Sequence, residues 1–391
     1  MVHSTDNVQT DGELFPTYKR WDITFEKASG TKITDSSGKT YLDFMAGIGV
    51  VNLGHKHPAV VEAVENQLHK GWHASNFFHY DEQKQAAEFL TSHSCGDLVF
   101  FANSGSEANE AAIKLARKHS GRRKIISFVQ SFHGRTFGSM AATGQETIHE
   151  GFGPMLEGFE YLPYNDVNEL EKAVDEDTAA VILEVVQGEG GVHPAGDDFL
   201  KAAENITKKN GALLICDEIQ TGLGRTGKFF AHEHSGLQPD IITTAKALGN
   251  GFPVGAMIGK QHLKEAFGPG SHGTTFGGNP LAMAAVNATL KTLVEDGWIE
   301  AAASKGGHFI KELQDTLSSL DNVKEIRGLG MMIGIELTES AADKIPALQE
   351  KGMLAIAAGP KVIRLLPPLT MEWETLQEGV QLLKEVLNEQ K

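Results

Sequence analysis

From about residue 97 the chain alternates short, continuously apolar runs with amphipathic stretches, and few folds accept that rhythm. The runs are DLVFFAN, KIISFVQ, TAAVILEVV, ALLICDE, DIITTAK and GAMIGK; between them lie stretches such as EANEAAIKLARKHSG and DDFLKAAENITKKNG. A strand that is apolar at nearly every position is buried on both faces. Parallel strands need a long crossover, usually a helix, which then covers the sheet. The pattern therefore predicts an α/β fold with a mostly parallel sheet covered by helices. Upstream, GTKITDSSGKTYLDF reads as a β-hairpin turning at Ser36, Ser37 and Gly38. HPAVVEAVENQLHKG carries Val60, Val61, Val64 and Leu68 at helical spacing, with Gly71 as its stop signal. Downstream, GGNPLAMAAVNATLKTLVEDG reads as one long helix, VKEIRGLGMMIGIEL as strands and WETLQEGVQLLKEVLNEQ as a closing amphipathic helix. The 391 residues suffice for more than one domain. The expected division is a large domain over 51–285 and a smaller α+β domain over 286–391, to which an N-terminal segment over 1–50 contributes.

Composition narrows the partners. A formal net charge of −16 argues against nucleic acid and anionic membranes, both of which require a positive surface. It leaves room for a local positive pocket that takes a small anion. The first twenty residues contain no apolar core of a secretory signal, and no apolar run approaches the roughly 18 residues of a membrane span. A soluble, cytoplasmic protein is expected. Cys95 and Cys216 lie in or beside apolar runs, outside any C-x-x-C pattern, and read as small hydrophobes rather than a disulfide pair. His55, His57, His69, His73 and His79 cluster in sequence, and His69 and His73 have an i, i+4 spacing. No carboxylate or cysteine completes a ligand set and Gly71 intervenes, so no metal site is expected. Met331, Met332 and Met353 read as core.

Three segments carry chemistry. In LLICDEIQTGLGRTGKFF an apolar run ends in Asp217 and Glu218, and Gly222, Gly224 and Gly227 then fit G-x-G-x-x-G. A dinucleotide loop would place its first glycine directly after the strand and its last at the opening of a helix. Here four residues intervene and KFFAHEHSG is too short for a crossover helix, so a nicotinamide-dependent oxidoreductase is the weaker alternative. Asp217 is the better signal, because ligands of parallel sheets collect at the carboxyl ends of strands; a turn-capping acid is the plainer reading. In DIITTAKALGNGFPVGAMIG, Lys246 is the only charged residue between Ile241 and Ile258. A desolvated lysine loses basicity and becomes a nucleophile toward carbonyl carbons; a snorkelling or acid-paired lysine is the plainer reading. In FFANSGSEANEAA a strand leads through Ser104, Gly105 and Ser106 into a helix whose free N–H groups can cradle phosphate, and Ser104 with Glu107 can also form a capping box. A phosphate cradle, a buried acid and an imine-forming lysine on one sheet edge together describe a site for pyridoxal 5′-phosphate (PLP).

Beyond these segments, GHKHPAVVEAV, NSGSEANEAAIKLARK, SFHGRTFGSMAATGQ, VVQGEGGV, DEIQTGLGRTG, AKALGNGFPVGA, GTTFGGNPLAMAA and IRLLPPLT follow one another in the order and spacing of a known family. The chain resembles the class III ω-aminotransferases of PLP fold type I, within them the bacterial enzymes acting on N-acetylornithine. The resemblance implies a large domain with a mostly parallel seven-stranded sheet, a homodimer with shared active sites, and PLP as cofactor. It assigns Lys246 to the cofactor aldehyde and to proton transfer, and Asp217 to the ring nitrogen. Gln220 would approach the phenolic oxygen and Phe132 the ring face. Gly105 and Ser106 would bind the phosphate, and Thr275 the phosphate of the neighbouring subunit's cofactor. Glu218 and Ile219 belong to the same cofactor-binding segment. Arg135 would grip the far carboxylate of the substrate, with Thr274 near it. Arg364 would bind a carboxylate close to the cofactor, and Glu189 would pair with Arg364. His133, next to Phe132, is left without a role.

The resemblance further implies a ping-pong transfer of the terminal amine of N-acetylornithine to 2-oxoglutarate, a step of arginine biosynthesis. Ornithine, succinylornithine and 4-aminobutyrate are the alternative amine donors. Enzymes of this family that use free ornithine commonly carry a tyrosine at the position of Ile48, where its hydroxyl meets the free α-amino group. An apolar Ile48 accommodates an acyl group better.

Overall fold

The computed structural model describes residues 12–389. The six apolar runs all become strands of one seven-stranded sheet. Across it the order is Leu98–Ala102, Gly255–Gly259, Ile241–Thr244, Leu213–Asp217, Thr178–Leu183, Lys124–Phe128 and Phe159–Leu162. Six strands point the same way. Gly255–Gly259 is antiparallel to both of its neighbours. Its connection explains this: residues 245–254 fall short of the dozen or so that a parallel crossover needs, and they already contain a tight 3-10 turn at Lys246–Gly249. The last strand, Phe159–Leu162, carries no continuous apolar run: Glu160 interrupts it and faces solvent at this edge of the sheet.

Alternate residues of the central strand show how the sheet is covered. Ile215 packs with Ala112 and Leu115 of helix Gly105–Ser120. Leu214 and Cys216 point the other way, into a cluster with Phe199, Leu200 and Ala203 of helix Asp197–Asn210. Both helices end on a glycine in the left-handed region, Gly121 (φ 69°) and Gly211 (φ 63°), which releases the chain into the next strand. Because six strands are co-directional, their carboxyl ends share one edge, and the residues just beyond them converge there.

Two smaller sheets adjoin. One orders Val323–Leu329, Met332–Leu337, Val362–Leu365 and Ile356–Ala358, all antiparallel. The other joins the N-terminal strands Phe25–Ser29, Lys32–Asp35 and Thr40–Asp43 to Met353–Leu354, so the two ends of the chain meet in one sheet. Met331, Met332 and Met353 are fully buried.

The G-x-G-x-x-G segment is a packing device. A Cβ on Gly227 (φ 88°) would lie 2.7 Å from the Cα of Ala303 in helix Trp298–Leu317, and the chain continues into a four-residue 3-10 turn, Ala231–His234. The first histidine helix, Pro58–Leu68, stops before His69, so His69 and His73 do not share a helix face. Among the described residues, no group of three or more His, Cys, Asp or Glu could hold a metal ion. Both cysteines are free thiols. No described helix is long and apolar enough to cross a membrane.

Candidate active site

At the carboxyl edge of the large sheet the strand-end residues enclose a cavity of about 370 Å³. One end is the start of helix Gly105–Ser120. Ser104 is its N-cap and accepts from the Glu107 N–H at 3.2 Å, leaving Gly105 and Ser106 with N–H groups that the helix itself cannot satisfy. Glu107 turns back to accept from both the backbone N–H and side-chain amide of Asn103, at 2.7 and 2.8 Å. The capping box therefore reaches one residue further upstream than the usual form. Gly105 leaves room for Ile219, whose Cδ1 would lie 2.8 Å from a Cβ there. A dipole-positive, donor-rich and sterically open helix start suits a phosphate.

Asp217 is the centre of the floor. It closes strand Leu213–Asp217 and is 3% exposed. Its Oδ2 accepts from Asn109 Nδ2 at 2.8 Å and lies 2.7 Å from His133 Nδ1, while Oδ1 accepts from the Ile219 N–H at 3.0 Å. Asn109 is held by donating to the His133 carbonyl and accepting from Thr243 Oγ1. Burial alone would make His133 a weaker base, but the hydrogen bond and charge of Asp217 outweigh it and raise its pKa. His133 Nε2 is buried with no partner among the described residues. Glu184, directly after strand Thr178–Leu183, accepts from the Phe132 N–H at 2.9 Å and the Gly188 N–H at 3.1 Å; burial lifts its carboxyl to about 7. Phe132 is thereby fixed by its backbone while its ring lines the cavity.

Lys246 lines the same cavity from a strained position, φ 43°, where strand Ile241–Thr244 breaks into a 3-10 turn. Burial lowers its pKa, and the nearby charge of Arg364 lowers it further against the opposing pull of Glu189 and Asp217. Opposite stands a bidentate pair: Arg364 donates to both Glu189 oxygens, at 2.8 and 3.1 Å. Gln220 bridges them, accepting from Arg364 at 3.0 Å and donating to Glu189 at 3.3 Å. Arg364 is fully buried, and its Nε lacks a partner among the described residues. Burial would raise the Glu189 pKa, but Arg364 and Lys246 hold it at about 2, so Glu189 is an anion in this arrangement.

The structure thus brings Gly105, Ser106, Phe132, Glu189, Asp217, Ile219, Gln220 and Lys246 to one cavity, with Arg364 behind Glu189. Arg135 is exposed on its rim, its guanidinium 5.7 Å from the Phe132 ring centre. Glu218 corrects the reading of the sequence. It follows Asp217 but is turned to the opposite side of the sheet edge, where it accepts from Thr221, from the N–H groups of Ala231 and His232, and contacts His232 Nδ1. Successive residues of an extended chain face opposite ways, so a strand-end pair of acids cannot serve one cavity. Thr274 and Thr275 also stand apart from the cavity in this single chain: Thr274 accepts from Asn103, and Thr275 is exposed. Val50, rather than Ile48, lines the wall beside the N-terminal segment. Asn109, His133 and Glu184 were not assigned from sequence. Asn109 offered a signal, an amide on a helix face otherwise made of Ala112, Ile113 and Ala116, where burial demands a polar partner.

These residues fit PLP by their own chemistry: helix-start donors for the phosphate, a buried anion for the ring nitrogen, an aromatic wall and a lysine of lowered basicity for the aldehyde. Comparison with known proteins agrees. The family model described as Aminotransferase class-III matches residues 16–387. The acetylornithine aminotransferase of Bacillus subtilis is 60% identical over 96% of this chain and 97% of its own length. That of Halalkalibacterium halodurans is 56% identical over 96% of this chain and 98% of its own. Among solved structures, the ornithine aminotransferase of Toxoplasma gondii, described with partial PLP occupancy at its active site, superposes with a TM-score of 0.92 at 32% identity, covering 96% of this chain and 92% of that one. A match over nearly the whole length, on a cavity furnished for the cofactor of that fold, makes this chain a member of the class-III aminotransferases.

Proposed function

We propose that this chain transfers the terminal amino group of N-acetylornithine to 2-oxoglutarate, giving N-acetylglutamate 5-semialdehyde and glutamate, with PLP held by Gly105, Ser106, Phe132, Asp217 and Lys246. The observation that carries the reading is the Glu189–Arg364 pair beside Lys246. When bound, PLP supplies an aldehyde that condenses with amines and a cationic ring that withdraws electrons from the substrate carbon. Lys246 Nζ accepts the proton leaving that carbon and returns it elsewhere, a task suited to its lowered pKa. Asp217, at the end of its strand on the cavity floor, would hold the ring nitrogen.

Arg364 and Glu189 address the two-substrate problem. Glutamate carries a carboxylate on the carbon that bears its reacting amine. N-acetylornithine carries none there; its carboxylate lies at the far end, toward Arg135. A bare Arg364 binds the first molecule and repels the second's cationic amine. Glu189 cancels Arg364 for the amine donor and swings aside for glutamate, while Arg135 takes the distal carboxylate of either. In single-turnover half-reactions, Glu189→Gln is expected to slow the N-acetylornithine half by at least about tenfold more than the glutamate half. Equal losses reject the exchange. A panel of N-acetylornithine, ornithine, succinylornithine and 4-aminobutyrate tests the donor: the reading fails if ornithine or 4-aminobutyrate outpaces N-acetylornithine.

The assembly we infer is a homodimer working in the cytoplasm. Trp72, Phe77, Phe78 and Phe276 are exposed large rings, and their two segments are tied together by Asn76 donating to the Thr274 and Gly277 carbonyls. A second copy covering this face would bring Thr275 to its neighbour's phosphate. A monomeric mass by light scattering overturns that assembly. The two free thiols suit a reducing compartment.

A further inference from the structure

Glu189 sits at the tip of a two-stranded hairpin, Val186–Gln187 paired with His193–Pro194. The tip, residues 188–192, is glycine-rich and would be loose by itself, and Val192 holds a left-handed φ of 54° that a β-branched residue resists. Something must fix it. Across the antiparallel sheet beneath, Arg327 is in register with Gly334, and Gly334 with Arg364. Directly opposed residues share a face, so these three form one row, Arg–Gly–Arg.

Each member of the row meets a different part of the tip. Arg364 takes the Glu189 carboxylate. Gly334 leaves room for Val192; a Cβ there would lie 2.9 Å from Val192 Cβ. Arg327 donates from Nη2 to the Gly191 carbonyl at 2.7 Å and from Nε to the Val192 carbonyl at 2.8 Å. Its remaining Nη1 is anchored on Glu325 and Glu336, at 2.7 and 2.5 Å. From the other side Glu184 accepts from the Gly188 N–H, and Gly190 lies so close to Gln130 that a Cβ would come within 2.7 Å of its carbonyl. The backbone is pinned before and after Glu189, and the side chain is left as the moving part.

We propose that Arg327 is a positioning residue for substrate alternation: it registers the hairpin tip on the Arg–Gly–Arg row so that the Glu189 carboxylate meets Arg364 without the backbone moving. The inference rests on the reading of Glu189 as a counter-ion withdrawn for glutamate. Its test uses the PLP-loaded enzyme and single-turnover half-reactions with N-acetylornithine and with glutamate, for Arg327→Gln, Glu189→Gln and the double variant. The expected result is that Arg327→Gln slows the N-acetylornithine half about fivefold more than the glutamate half, and that the double variant splits them no further than Glu189→Gln alone. Equal losses in both halves, with Glu189→Gln still splitting them, overturn the positioning role and leave the exchange reading standing. No split from Glu189→Gln removes the exchange reading and this inference with it. Should Arg327→Gln fail to fold, Gly334→Ala displaces the same tip with Arg327 intact; it is expected to give the same selective loss, and equal losses overturn the proposal.

Discussion

Lys246→Ala is expected to reduce turnover of N-acetylornithine with 2-oxoglutarate by about 10⁴-fold or more, the upper range for removing a positioned acid–base group. The size follows from what the cavity contains. Among the described residues Lys246 is the one lysine in its wall, and the other basic side chains nearby, Arg364 and His133, are committed to Glu189 and Asp217. No other described group lining the cavity can both hold a carbonyl carbon as an imine and take up a proton at the same place. Its lowered pKa puts more of the amine in the neutral form that such chemistry requires, and burial, the largest cause, is lost in the unfolded chain. The backbone supports the same conclusion. A lysine at φ 43° between a strand and a 3-10 turn is a local cost that packing alone does not require. Borohydride reduction of the PLP-loaded parent followed by peptide mapping should place the adduct on Lys246, and none should form in the variant. Turnover within tenfold of the parent would defeat the assignment.

The legibility of this chain tracks how local each signal is. Strands apolar at nearly every position announce themselves as runs, so six strands of the sheet were readable, whereas Phe159–Leu162, interrupted by the exposed Glu160, was not. Direction was harder: GAMIGK looks like its neighbours and is antiparallel only because its connection is short. Lys246 and Asp217 were readable because a charge inside or at the end of an apolar run is rare. Glu218 was assigned through the resemblance alone, since sequence shows two adjacent acids and only the chain's alternation separates them. Asn109 and Arg327 were hidden because their partners are remote, Asp217 for the first and the Gly191 and Val192 carbonyls for the second. A hydrogen bond between distant segments leaves no spacing to read.

Asp217→Asn carries the second large expectation, a loss of about 10²- to 10³-fold in both half-reactions, the range for removing one preorganised electrostatic partner. In the proposed mechanism Asp217, unlike Glu189, would serve a step common to both substrates, so the loss should not discriminate between them. The isosteric amide keeps the volume and can keep its oxygen toward Asn109 and His133, which already converge on Oδ2. Its nitrogen then replaces Oδ1 and brings a donor against the Ile219 N–H, 3.0 Å from that atom in the parent. With PLP bound, the same amide would offer a hydrogen to the ring nitrogen where the parent would offer a carboxylate oxygen. A ring that accepts a hydrogen bond there is no longer cationic, and its pull on substrate electrons falls. His133→Gln removes only the support behind Asp217 and is expected to cost less than Asp217→Asn, with the loss largest at low pH and fading as pH rises through the raised His133 pKa, where the parent imidazolium gives up its charge. If Asp217→Asn instead slows only the amine-donor half, the carboxylate acts on substrate and not on the ring, and the arrangement of the floor has to be redrawn around Glu184.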